Sequence, residues 1–191
     1  VFTMHSMRYG YRRVYQQLRN EGYTINHKTV QRLMQEMNLK SKVRKVRYLS
    51  YRGEVGKTAP NILNRDFKAV RPNQKWATDV TEFKVADRKA YLSPIMDMFN
   101  GEIVAYTISD RPDLKMVMDM MSTAKRKVKS TNGVILHSDQ GWHYQHMKYQ
   151  QRLKRYGIIQ SMSRKGNCLD NAVMENFFGI MKSELLYLQQ F

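Results

Sequence analysis

Residues 75–85 read "KWATDVTEFKV". Polar and apolar residues alternate, which predicts a strand. Ala77, Asp79, Thr81 and Phe83 share one face; Trp76, Thr78, Val80 and Glu82 share the other. Working outward, "KAYLSPIMDMF" (89–99) reads as a second strand and "EIVAYTIS" (102–109) as a third. The Asn100-Gly101 pair between them is a tight-hairpin signal. "DLKMVMDMMSTAKRKV" (113–128) has helical periodicity, with Leu114, Val117, Met118 and Met121 on one face. "GVILHSD" (133–139) is a fourth strand, "HMKYQQRLKRYG" (146–157) a helix and "IIQSMS" (158–163) a short fifth strand. "LDNAVMENFFGIMKSELLYL" (169–188) closes the series as a long helix. The order β-β-β-α-β-α-β-α predicts an α/β fold, a mixed five-stranded sheet flanked by helices.

Upstream the pattern is all-α. Tyr11, Val14, Tyr15 and Leu18 follow helical spacing, Gly22 suits a C-terminal cap, and Asn26 an N-cap. Val30, Leu33, Met34 and Met37 give the second helix an apolar stripe. Two short helices joined by a tight turn read as a helix-turn-helix module over residues 1–40. Its outward side would present His27, Lys28, Gln31, Arg32 and Gln35, donors suited to phosphates and base edges. Residues 41–72 read as a basic linker, closed by Pro72-Asn73, and residues 73–191 as the sheet domain.

The chain of 191 residues carries a net charge of +17, and 42% of it is hydrophobic, so it is not a disordered basic tail. The charge is uneven, a net of +12 in residues 1–72 against +5 in residues 73–191. Such an excess attracts polyanions, nucleic acid first among them. A solubilising charge or a membrane-surface patch is the alternative, but no long amphipathic helix accompanies it. One cysteine, Cys168, permits no internal disulfide and fits a reducing compartment; no base is placed by sequence to activate it as a nucleophile. The chain begins "VFTMHSM" and stops at "LLYLQQF" within a helical pattern, which reads as a piece of a longer protein.

In so basic a chain three acids stand out. Asp79 lies mid-strand, Asp139 ends the fourth strand, and Glu175 lies inside the last helix beside Met174, Phe177 and Phe178. An acid within a strand is costly unless paired, and open sheets often place ligand-binding groups at strand ends. Carboxylates gathered from separate elements repel one another unless a hard divalent cation lies between them. Three can hold two Mg²⁺ ions about 3.5–4 Å apart, an arrangement for in-line displacement at phosphorus. Singly, Asp79 would serve as a salt-bridge partner, Asp139 as an N-cap or turn residue and Glu175 as a solvated helix residue. His137 and His143 flank Asp139, but no further His/Cys cluster supports zinc.

"WATDVTEF", "LHSDQGWHY" and "SMSRKGNCLDNAVMENFFGIMKSE" together resemble the catalytic signature of the DDE transposases of bacterial insertion sequences. The nearest group is the insertion-sequence-three family, and these blocks are similar to its second-frame product. The 35 residues between Asp139 and Glu175 match the spacing of that family and of retroviral integrases, and Lys182 stands seven positions after the glutamate, as the family expects. "YGYRRVYQQL" with "NHKTVQRLM" resembles the helix-turn-helix before the core.

The resemblance implies an RNase H-like fold with Asp79, Asp139 and Glu175 as catalytic, metal-holding residues. It implies Mg²⁺ (or Mn²⁺), two ions per site, and cleavage and strand transfer at transposon ends. DNA, both terminal inverted repeats and target, and further copies of the chain on paired ends are the expected partners; no membrane or small-molecule substrate is. The expected place is the bacterial cytoplasm, at the nucleoid. Arg12, Arg13, Lys28, Gln31, Arg32, Arg164, Lys165 and Lys182 are the candidate DNA contacts, and Asp170 and Asn171 brace the last helix. An integrase-like or RNase H-like nuclease, and an inert DNA-binding repressor derived from such an element, are the alternatives. The family's small Ser after the glutamate is here Asn176.

Overall fold

The computed structural model describes residues 1–41 and 56–186. Residues 42–55 of the expected basic linker therefore lie outside the described residues. The described residues divide into two compact units, residues 1–41 with 181–186, and residues 56–180.

In the first unit, α1 (Tyr11–Asn20) and α2 (His27–Glu36) pack through Val14, Val30 and Met34, with Tyr11, Tyr15, Leu18, Ile25 and Leu39 around them. Helices of ten residues are marginal alone, so this apolar contact holds them. Burying each large apolar side chain contributes on the order of 1.5–3 kcal/mol. Gly22, just past α1, has φ +91°, a conformation that favours glycine, and its N–H closes on Arg19 O. The Asn26 side chain accepts from Lys28 N at 2.8 Å and starts α2.

The second unit is a mixed sheet. Its strands are β1 (Lys75–Thr78), β2 (Thr81–Val85), β3 (Arg88–Asp97), β4 (Ile103–Ser109), β5 (Ile135–Ser138) and β6 (Ile159–Met162). β1 and β2 both pair with one edge of β3, β4 pairs with its other edge, and β1, β5 and β6 run parallel. The helices are α3 (Leu114–Lys127), the short α4 (Trp142–Gln145), α5 (Met147–Arg155) and α6 (Ala172–Met181). Trp76, Ile95, Val104, Leu136 and Met162 of the sheet are buried with Val117, Met120 and Met121 of α3 and Tyr149 and Leu153 of α5. Asp113 caps α3 by accepting from Met116 N at 2.9 Å, and Lys125, Arg126 and Lys127 face its C-terminal dipole. No helix of the described residues is long and apolar enough to cross a membrane.

Two expectations change in detail. The single strand predicted over 75–85 is two, β1 and β2, although its register on β3 runs straight through, from Thr78↔Ile95 to Thr81↔Leu92. The break falls at Asp79-Val80, opposite Pro94 and Ser93. Proline has no N–H to donate to a ladder, and the Pro94 carbonyl faces this edge, accepting from Thr78 Oγ1 at 2.8 Å. The five expected strand positions thus hold six strands. The long helix expected from residue 169 starts as a 3₁₀ turn, Cys168–Asn171, becomes α6, and widens to a π turn at Lys182–Leu186.

Candidate active site

The break opposite Pro94 releases Asp79 from the ladder. Its Oδ1 turns back to accept from Val80 N at 2.7 Å. On the neighbouring strand, Asp139 follows the last residue of β5, and its Oδ1 accepts from Gly141 N at 2.8 Å. β1 and β5 are parallel, with Ala77 paired to His137. Continuing that register by two residues sets Asp79 opposite Asp139 at the C-terminal ends of adjacent strands. Hydrogen-bonded neighbouring strands lie about 4.8 Å apart. Residues 60 positions apart in sequence thus meet at the end of a parallel sheet where ligand sites form. Both are half-buried. Burial pushes the Asp139 carboxyl above the usual aspartate value, while the Gly141 N–H and the charge of His143 pull the other way.

Tyr144, on α4, looks onto both acids. It is 1% exposed. Burial drives its phenol well above the ordinary tyrosine value, and the negative charges of Asp79 and Asp139 add to the effect. Gly141 lies between. A Cβ there would sit 3.0 Å from Asp139 Oδ1 and 3.4 Å from Tyr144 Cδ2.

Glu175 is on α6 and exposed, and its carboxyl is raised by the desolvation it does feel. The structure brings Asp79 and Asp139 together but does not close the set. Among the described residues no three His, Cys, Asp or Glu side chains are gathered as a metal-holding group. Hard carboxylate oxygens are the donors on offer, a set suited to Mg²⁺ or Mn²⁺. The flanking histidines are otherwise engaged. His137 Nδ1 and Nε2 face the Ser161 and Ser163 hydroxyls at 2.8 and 3.2 Å, and His143 Nε2 donates to Pro112 O at 2.6 Å. Burial lowers both imidazole pKa values, favouring the neutral ring.

Asp170 braces the segment leading into α6. Its buried carboxylate accepts from Arg164 Nε and Nη2 at 2.8 Å each, from Arg65 Nε at 2.9 Å, and from Asn61 Nδ2 and Arg164 N at 3.0 Å. These bonds hold its pKa far below the usual aspartate value. Arg164, expected as a DNA contact, is thus forked on Asp170, while Lys165 beside it is exposed. Nothing in the spacing singled out Arg65 and Asn61 as partners of Asp170. Tyr144 was also missed, and its place five residues after Asp139 was the available signal.

In the first unit Arg12, Arg13, Lys28 and Arg32 are exposed and Gln31 is half-buried. Arg12 Nε donates to Tyr11 Oη at 3.1 Å, Arg32 pairs with Glu36 at 2.6 Å, and Arg13 pairs with Glu184. Lys182 is half-buried.

A mixed sheet with two acids at the ends of adjacent parallel strands, preceded by a helix pair, defines an integrase-type core with a helix-turn-helix. The integrase core domain family matches residues 69–168, and an HTH-like domain family matches residues 1–47. Glu175 lies beyond the first match. The chain belongs to the transposases of bacterial insertion sequences, in the insertion-sequence-three family. It is 59% identical over 184 residues to the putative transposase InsK for insertion sequence element IS150 of Escherichia coli (strain K12), spanning 96% of this chain and 65% of that protein. It is 36% identical over 192 residues to the transposase InsF for insertion sequence IS3A of the same organism, spanning all of this chain and 67% of that protein. In fold it resembles a chain of the simian T-cell lymphotropic virus intasome, with a TM-score of 0.55 at 19% identity over 70% of this chain and 44% of that one.

Proposed function

We propose that this chain carries the catalytic core of a transposase that cuts and joins DNA at the ends of an insertion sequence. Asp79, Asp139 and Glu175 are the residues that would hold divalent cations, Mg²⁺ or Mn²⁺, two per site. The observation that carries this reading is the meeting of Asp79 and Asp139 at the ends of two adjacent parallel strands in a chain of net charge +17. Carboxylates placed side by side in a polyanion-binding protein make sense as cation holders, since without one they repel both each other and the substrate. When bound, such ions activate the attacking oxygen and stabilise the leaving one.

The protein's own residues do the rest. The Gly141 and Val80 N–H groups orient the two aspartates. The Asp170 clamp fixes the chain entering α6, from which Glu175 would reach the pair once cations are bound. Lys165 and Lys182 lie within ten residues of Glu175 in sequence and would hold the phosphate backbone. Arg12, Arg13, Lys28, Gln31 and Arg32 of residues 1–40 would hold DNA through the helix pair. The work is done in the bacterial cytoplasm, as befits relatives from bacterial elements, with copies of the chain assembled on paired ends.

The test is nicking and joining of labelled terminal-repeat DNA with Mg²⁺ by the full chain and by Asp139→Asn. Loss of both reactions in the variant is expected. Nicking and joining that persist unchanged would defeat the proposal.

A further inference from the structure

The Tyr144 side chain, which feels the charge of both aspartates, ends in a buried polar atom without a hydrogen bond. The Tyr144 hydroxyl is enclosed and makes no hydrogen bond among the described residues. The Thr78 side chain acts on this hydroxyl and lowers its pKa, but its own proton is given to Pro94 O at 2.8 Å. A buried hydroxyl without a partner costs roughly 1–3 kcal/mol. A phenylalanine would fill the same space without that cost. The ring itself is firmly placed, edge-on to Tyr149 at 5.4 Å between centroids and against Gly141. The hydroxyl therefore has a fixed direction, and the negative charge of Asp79 acts on it more strongly than that of Asp139.

We propose that Tyr144 is a positioning residue for the Asp79–Asp139 pair, its hydroxyl donating to the Asp79 carboxylate when a divalent cation is bound there. Asp79 Oδ1 is turned toward Val80 N, and Asp139 Oδ1 toward Gly141 N. Each aspartate thus has one oxygen steered by backbone. A donor from Tyr144 would add a hydrogen bond to the Asp79 carboxylate and help orient its lone pairs toward the cation. Metal-ligating carboxylates are characteristically held by such outer hydrogen bonds, and loss of one typically costs 10–100-fold in metal affinity. The inference rests on the metal-site reading above.

The experiment compares Tyr144→Phe with the parent full chain and with Asp139→Asn. Mn²⁺ binding is followed by its electron paramagnetic resonance signal, and folding by thermal melting. Tyr144→Phe should melt at the parent temperature or above it, because an unpaired buried hydroxyl has been removed. Its Mn²⁺ affinity should fall about tenfold. The Mg²⁺ concentration giving half-maximal nicking should rise by the same factor, with the rate at saturating Mg²⁺ preserved. Asp139→Asn should lose Mn²⁺ binding. Parent-like Mn²⁺ affinity in Tyr144→Phe, alongside loss in Asp139→Asn, would overturn the role of Tyr144 alone. A marked fall in melting temperature would overturn it too, by showing that the hydroxyl stabilises the fold. Parent-like Mn²⁺ binding in Asp139→Asn would overturn the metal-site reading itself.

Discussion

Replacing Gly141 with alanine separates stability from chemistry. Gly141 has φ −56° and ψ 144°, which alanine adopts without strain, so the backbone does not object. The reduced freedom of the unfolded chain would favour alanine by about 0.4–1 kcal/mol. The objection is local. The new Cβ would meet Asp139 Oδ1 at 3.0 Å and the Tyr144 ring at 3.4 and 3.5 Å. The ring is packed into the core, so the carboxylate must yield, by roughly a few tenths of an ångström at such a contact. A misplacement of about 1 Å can cost ~10²-fold in rate, so a shift of this size should cost about 3–10-fold. The expected variant melts within about 2–4 °C of the parent, equivalent to about 1 kcal/mol for a domain of this size. It nicks labelled end DNA about 3–10-fold more slowly in single-turnover assays at saturating Mg²⁺. Gly101→Ala is the control. It has open space around it but φ +75°, so it should lower the melting temperature and leave the nicking rate alone. A Gly141→Ala protein that nicks at the parent rate would refute the claim that the Asp139 carboxylate must stay where the structure holds it.

Three further outcomes are expected. Asp170→Ala strands Arg65 and Arg164 and frees the chain before α6, so limited proteolysis should cut near residues 164–171, where the parent resists; equal resistance would show that the clamp is dispensable. His137 and His143 are held below the ordinary histidine pKa by burial, so between the folded and unfolded values the unfolded chain binds more protons. Stability should therefore be full well above about pH 6.5 and decline as the pH falls below that value, with a shallower decline in His137→Asn; a melting temperature that rises as the pH falls below about 6.5 would contradict the assignment. Finally, Arg12→Ala with Lys28→Ala should weaken binding to any DNA sequence and reduce the log–log salt slope by about 1 for each phosphate no longer neutralised, measured by fluorescence anisotropy. An unchanged slope would remove α1 and α2 from the interface.

Much of the fold was legible because local rules and tertiary demands agree. Asn26 and Gly22 mark the helix ends where side-chain capping and positive φ require those residue types. The alternation over 75–85 found the strand, but its interruption depends on Pro94, which lies beside it only once β3 folds back. The residues flanking Asp79 carry no trace of that break. Likewise the 3₁₀ turn before α6 reflects Asp170 being drawn to Arg65 and Asn61, more than 100 positions away.

By itself the sequence determined the helix pair, the order of strands and helices, the basic character of the chain, and the three acids as candidates. These follow from periodicity, turn chemistry and composition, which act over a few residues. Only the tertiary structure decided that Asp79 and Asp139 stand side by side, that Arg164 is committed to Asp170, and that a buried tyrosine hydroxyl without a partner stands beside the two acids. Each depends on strand register and long-range packing, and those emerge only when segments distant in sequence bury their apolar faces together.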